Sequence, residues 1–195
     1  LAFAPIGTFA ALWLATPAAA AIVGVAPNAT FLRTDSSDPA PFTVPVALDS
    51  VGIAPGDRVR FERLGAYRYT ASELLLSSAV IGLFSSSATL LENSLLNRVP
   101  GALATGFTIA TPRTFATNLA TDIPHDFDAG DSLVTVPAGA RFLFLSTLDS
   151  LYFDNTPAPG GFAVRLTVIP TPTAAAMALL GGTVLCARRR RASSP

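Results

Sequence analysis

The sequence predicts an all-β protein, and three observations carry that prediction. Proline and glycine contribute 16 and 14 of the 195 residues, too many chain breakers for a helical bundle. Between Thr34 and Val168 apolar residues recur in short alternating runs bounded by turn residues, the two-residue period of a strand with one buried face. The one stretch with helical leanings, Ala71 to Ser78, is short. Apolar residues make up 50% of the chain and charged residues 13%, which excludes a disordered chain because there is ample surface to bury against the entropy of folding.

Taken in order, Phe42 to Leu48 is an expected strand. The turn Pro55-Gly56-Asp57 then releases Arg58-Val59-Arg60-Phe61-Glu62, whose alternation puts Val59 and Phe61 on one face. Ala79 to Phe84, Leu103 to Ile109 and Ser132 to Val136 follow as further strands. Arg141-Phe142-Leu143-Phe144-Leu145 is apolar on both faces and suits a central strand. Phe162 to Val168 alternates strictly, with Phe162, Val164, Leu166 and Val168 on one side and Ala163, Arg165 and Thr167 on the other. About seven or eight such strands with Gly and Pro turns predict an antiparallel β-sandwich of jelly-roll type. Its inward face should include Val59, Phe61, Leu143, Leu145, Phe162, Val164 and Leu166.

The two ends of the sequence read differently from the middle. Leu1 to Ala21 is an apolar stretch ending in small residues that fit an A-x-A cleavage site near Ala20 or Ala21, the pattern of a secretory signal peptide with an incomplete start. A buried or membrane-spanning helix is the alternative, and Pro5, Gly7 and Pro17 interrupt it. At the other end come Val168-Ile169-Pro170-Thr171-Pro172, the apolar run Ala174 to Ala187, and Arg188-Arg189-Arg190-Arg191. Fourteen residues make about 21 Å of helix, a short membrane helix. The arginines orient it with the tail's end in the cytoplasm and the body outside. The lone cysteine, Cys186, lies in this run, so no disulfide can form within the body.

The zero net charge conceals this segregation. With the terminal four arginines set aside, the body has nine arginines against thirteen acids and no lysine. That acidic balance offers no basic face for phosphate backbones and argues against nucleic-acid binding.

The C-terminal layout resembles the PEP-CTERM sorting signal of exported bacterial proteins, in which a Pro-x-Pro motif, a short membrane helix and an arginine cluster are recognised by an exosortase. By that resemblance Pro170, Thr171 and Pro172 form the motif and Arg188, Arg189, Arg190 and Arg191 the cluster, with Thr171 standing where the family has Glu. The protein is then expected at the cell surface or outside the cell, held transiently in the membrane by its tail. A membrane anchor without processing is the alternative. The expected organisation is a leader at 1–21, an N-terminal segment with a first strand at 22–50, a sandwich at 51–169 and the sorting tail at 170–195.

A second resemblance covers the body from about Val51 to Val168. Pro55-Gly56-Asp57, Gly65-Ala66-Tyr67-Arg68-Tyr69, Ile81-Gly82-Leu83-Phe84, Val136-Pro137-Ala138-Gly139-Ala140, Asp149 with Asp154-Asn155, and Gly161-Phe162 occur in an order similar to galactose-binding-like sandwiches of the calcium-dependent galactophilic lectins. Thr156-Pro157-Ala158-Pro159 is an insertion relative to that pattern. The resemblance implies calcium held by Asp149, Asp154, Asn155 and Tyr69, and a carbohydrate or extracellular polysaccharide as partner. Residue chemistry allows it, since calcium takes six to eight oxygens, and Asp149, Asp154 and Asn155 supply carboxylate and amide oxygens from one loop, with backbone carbonyls to complete the shell. The alternative is that Asp and Asn there cap a turn.

A sugar site needs an aromatic platform as well as polar groups, and Tyr67, Tyr69, Tyr152 and Phe153 fall near the expected ion loop. Packing is the alternative role for them. The loop that contacts sugar in the lectins corresponds to Thr70 to Ser78, whose residues do not match. Catalysis has little support. His125, the only histidine, lies between acids in Asp122-Ile123-Pro124-His125-Asp126, no serine sits in a Gly-x-Ser-x-Gly turn, and Glu62, Glu73 and Glu92 are scattered. Asn28-Ala29-Thr30 matches a glycosylation triplet by chance. The expectation is a non-enzymatic exported protein, either a lectin-like binding module or a structural component of the surface or matrix.

Overall fold

The computed structural model describes residues 20–34, 37–70, 77–106, 123–149 and 151–170. The expected leader up to residue 19, the tail from Thr171, most of the helix-leaning stretch and the second half of the Leu103–Ile109 strand lie outside them.

Among the described residues nine strands form two antiparallel sheets. In chain order they are β1 (Ala20–Gly24), β2 (Val46–Ala47), β3 (Arg58–Arg68), β4 (Val80–Ser85), β5 (Ala102–Leu103), β6 (Phe127–Asp128), β7 (Leu133–Thr135), β8 (Phe142–Thr147) and β9 (Thr156–Ile169), with one 3-10 turn at Asp49–Val51. The first sheet has the order β1-β9-β3-β7 and the second β2-β8-β4-β5, with β6 also paired to β4. The strongly alternating segments become the long central strands: β3 and β9 pair from Arg58↔Ile169 to Arg68↔Thr156. The expected strand over Phe42 to Leu48 is reduced to two residues, because Pro45 has no N–H to give to a ladder. Phe42 instead makes a single parallel bridge to Thr30.

Residues 20–50 are woven into both sheets. Ala20 and Ala21, read in the sequence as the end of a leader, open β1, which pairs with β9 from Ala20↔Thr167 to Gly24↔Ala163. The N-terminal segment also supplies β2 to the second sheet, at Val46↔Leu143.

One core lies between the sheets, the arrangement of a β-sandwich. It joins Val59, Phe61, Phe162, Val164 and Leu166 from the first sheet to Phe84, Leu143 and Leu145 from the second. All seven residues expected on the inward face are buried. Phe61 sits at the centre, edge-on to Phe84 at 6.2 Å and to Phe127 at 5.2 Å, the aromatic geometry that adds to area burial.

The centre of the second sheet, β4 and β8, is buried on both faces. Every residue of β4 is buried, and Ile81, Leu83 and Phe144 form a second core with Phe31, Leu32, Val99 and Ile123. The described segments of this outer layer lie outside the named strands, and their backbone is satisfied from an unusual source. Arg98, fully buried, donates from Nε to the Leu91 carbonyl at 2.9 Å and from Nη1 to the carbonyls of Leu32 at 2.5 Å and Thr30 at 3.2 Å. Its guanidinium also lies 4.9 Å from the Phe42 ring centre. A planar, weakly hydrated cation with several donors suits this place, where a lysine could not serve separated carbonyls.

The long strands set two poles. Arg58, Thr135 and Ile169 share one end of the first sheet, and Arg68 and Thr156 the other. Between them the register slips at Gly65/Tyr67. Gly65 has φ +75°, and a Cβ there would run into the carbonyl oxygen of Gly161, so the bulge requires glycine.

Candidate ion and ligand site

The connection from β8 to β9 crosses the pole formed by Arg68 and Thr156, and the sequence-predicted site residues converge on it. The hydroxyl of Tyr67, near the end of β3, donates to the Leu148 carbonyl at 2.8 Å and ties the start of the loop to the first sheet. Tyr69 stands edge-on to Tyr67 at 5.5 Å and donates to Ser77 Oγ at 3.1 Å. The farther end of the loop is a turn closed by the Asn155 amide on the Tyr152 carbonyl at 3.0 Å.

The loop's oxygens are unevenly satisfied. Asn155 is 4% exposed, and its Nδ2 donates to the Pro27 carbonyl at 3.1 Å. Its Oδ1 is buried with no hydrogen-bond partner, and so is Oδ1 of the neighbouring Asp154. Asp149 accepts a long contact from the Leu151 amide, 3.5 Å. Buried carboxylate and amide oxygens without donors are costly, and a hard cation that takes oxygen ligands satisfies such atoms. Among the described residues no group of three His, Cys, Asp or Glu side chains could hold a metal, so a cation here would rely on the Asn155 amide and backbone carbonyls beside Asp154.

The tyrosines divide into two kinds. Tyr67 and Tyr152 are both 0% exposed; Tyr67 packs on Phe162 at 5.2 Å. Neither presents a ring face to solvent: Tyr67 comes from β3 and Tyr152 from the loop, and of the three tyrosines expected in a sugar platform only Tyr69 is open. Burial raises both phenols above the usual tyrosine range, opposed at Tyr67 by Ser77 and at Tyr152 by Thr30. Tyr69 is 37% exposed, and Phe153, at 47%, and Leu151 are the loop's other exposed apolar side chains.

Asp38 is the residue that sequence reasoning missed. It is buried, and its carboxylate accepts the amides of Tyr152 at 2.8 Å, Phe153 at 3.1 Å and Ala40 at 3.1 Å. The Asp38-Pro39 pair signals a local turn, and the Ala40 bond is that turn. Nothing in the sequence signals the loop more than a hundred residues away. His125 lies on the turn from Ile123 to Asp126, away from this loop in sequence and pairing. Thr30 of the glycosylation triplet is buried.

Comparison with family models, with curated proteins and with solved structures finds no match to the chain.

Proposed function

We propose that this is an exported bacterial surface or matrix protein whose jelly-roll, galactose-binding-like sandwich holds calcium on the 148–155 loop and binds carbohydrate there. The observation that carries the reading is the pair of buried, unpartnered oxygens on Asp154 and Asn155. These two residues would hold the ion with Asp149 and with backbone carbonyls; Tyr69 stands at the same pole. Calcium, when bound, neutralises the loop's carboxylates and offers open positions to sugar hydroxyls. The chain's own contribution is to fix the loop, through Tyr67 on Leu148 and Asp38 on Tyr152 and Phe153. Exposed Tyr69 and Phe153 supply apolar surface for the carbon face of a sugar ring.

Delivery to the surface is proposed to follow the sorting tail. Pro170, the first residue of the Pro170-Thr171-Pro172 motif, is exposed directly after β9, and if an exosortase-type enzyme processes the tail, mature extracellular protein should lack Arg188 to Arg191 by mass spectrometry. The ion is tested by thermal unfolding in calcium and in chelator. A ligand that binds only the native state raises the midpoint, and both Asp154→Asn and Asn155→Ala should remove the rise while the sandwich stays folded. Glycan-array binding that disappears in chelator supports the lectin reading. Equal midpoints in calcium and chelator support the second reading, a structural surface component, which the burial of Tyr67 and Tyr152 favours.

A further inference from the structure

Both ends of the described chain leave the sandwich at one pole. Ala20 opens β1 opposite Thr167, Ile169 closes β9 opposite Arg58, and Arg58 also faces Thr135 at the end of β7. The 148–155 loop lies at the far end of β9, whose 14 residues span up to about 43 Å if fully extended. Between Ile169 and the apolar run that begins at Ala174 stand Pro170, Thr171, Pro172 and Thr173. Four residues reach at most about 14 Å. A tail inserted in a bilayer therefore holds this pole at the level of the lipid headgroups and leaves the loop on the distant side.

The surface of the pole suits that neighbour. Arg58, Arg60 and Arg141 are exposed there, and none belongs to the ion pairs found among the described residues, Arg63–Asp131 and Arg165–Glu62. Of the nearby acids, Asp57 is engaged by the amide of Ala54 at 2.8 Å, and Asp49 lines a cleft together with Arg141. That cleft, about 310 Å³, is otherwise walled by apolar groups such as Leu48, Ile53, Pro55 and Phe142. Juxtamembrane arginines are drawn to anionic headgroups within a Debye length of the surface.

We propose that this pole is a membrane-docking surface: Arg58, Arg60 and Arg141 contact the phosphates of an anionic bilayer while the tail is inserted, so that the 148–155 loop points away from the membrane. The proposal rests on reading residues 174–187 as a membrane anchor. It is tested on the full chain carrying Cys186→Ser, with a fluorophore on a single introduced cysteine, in vesicles of phosphatidylglycerol and phosphatidylethanolamine that contain a headgroup-attached quencher. A probe at Thr135→Cys should be quenched several-fold more than one at Phe153→Cys, or at Leu151→Cys if the first variant does not fold. With Arg58, Arg60 and Arg141 all changed to Gln, the chain should still float with the vesicles while quenching at 135 falls. Equal or stronger quenching at the loop, or quenching at 135 that is unaffected by the arginine changes and the same in neutral phosphatidylcholine vesicles, overturns the docking surface alone. A chain that does not float with vesicles at all overturns the anchor, and the docking surface with it.

Discussion

The carboxylate of Asp38 holds the backbone of Tyr152 across 114 positions of sequence, with Oδ2 2.8 Å from the amide nitrogen. Oδ1 takes the next amide, that of Phe153. A charged acceptor with two consecutive amides fixes the direction of the chain as well as its position. The candidate ion loop is therefore shaped by a residue from the N-terminal segment, not only by the strands that flank it.

Asp38→Ala leaves three amides without their acceptor. Bonds to charged groups are worth about 1.5–3 kcal/mol each and are not additive, so a loss of about 3 kcal/mol is expected in urea unfolding, with hydrogen exchange accelerated first at residues 152 and 153. Asp38→Asn, which keeps one acceptor oxygen, should lose less.

The two buried tyrosines should respond unequally to loss of the hydroxyl. Tyr67→Phe removes the bond to the Leu148 carbonyl and should cost about 1 kcal/mol. The Tyr152 hydroxyl is buried and makes no hydrogen bond of ordinary geometry, although Thr30 and the Asp149 backbone lie near enough to favour its ionised form, so Tyr152→Phe should cost less than Tyr67→Phe in the same thermal assay. A cost at Tyr152 equal to that at Tyr67 would show that its hydroxyl is bonded.

Alkaline pH should unfold the protein through the same residues. Burial raises the Tyr67 and Tyr152 phenols in the folded state, whereas in the unfolded chain they ionise near pH 10. Above that pH the unfolded chain holds fewer protons than the native one, so stability is full below about pH 9 and falls as pH rises further. The stability-versus-pH slope above pH 10 should be shallower in Tyr67→Phe than in the parent chain.

Phe162 lies in the core with its ring against Tyr67. Phe162→Ala should cost about 3–5 kcal/mol in denaturant unfolding. A loss below about 1 kcal/mol would mean that the end of the sandwich collapses to fill the space.

Gly65→Ala combines a left-handed backbone with a collision against the Gly161 carbonyl. The expected result is loss of several kcal/mol or failure to fold, read from expression and circular dichroism. Gly52→Ala, where φ is also positive but nothing lies within 4 Å, isolates the conformational part and should cost about 1 kcal/mol.

The legible parts of the fold were those with a two-residue period. In β3 and β9 alternation placed Val59, Phe61, Phe162, Val164 and Leu166 on the core side, and in β8 the double-faced apolar run marked a strand buried on both sides. β1 was hidden because Ala20 to Gly24 continues an apolar run that reads as a leader. The cover over β4 and β8 was hidden for another reason: Phe31, Leu32, Val99 and Ile123 come from irregular segments with no period to detect. In the site, the sequence resemblance set Tyr67 and Tyr69 beside the loop but could not distinguish a ring turned into the core from one left outside. Asp38 was invisible because its partners are backbone amides, which have no sequence signature.

Because β9 lies between β1 and β3, the first and third of the described strands share a partner made after both. Until residues 156–169 leave the ribosome, β1 has no described neighbour in its sheet and β3 has only the three residues of β7. The cost of closing so long a loop is met only once β9 has been made. A nascent chain of this design remains loose until residues 156–169 have been made, and only then can β1 and β3 lock into one sheet.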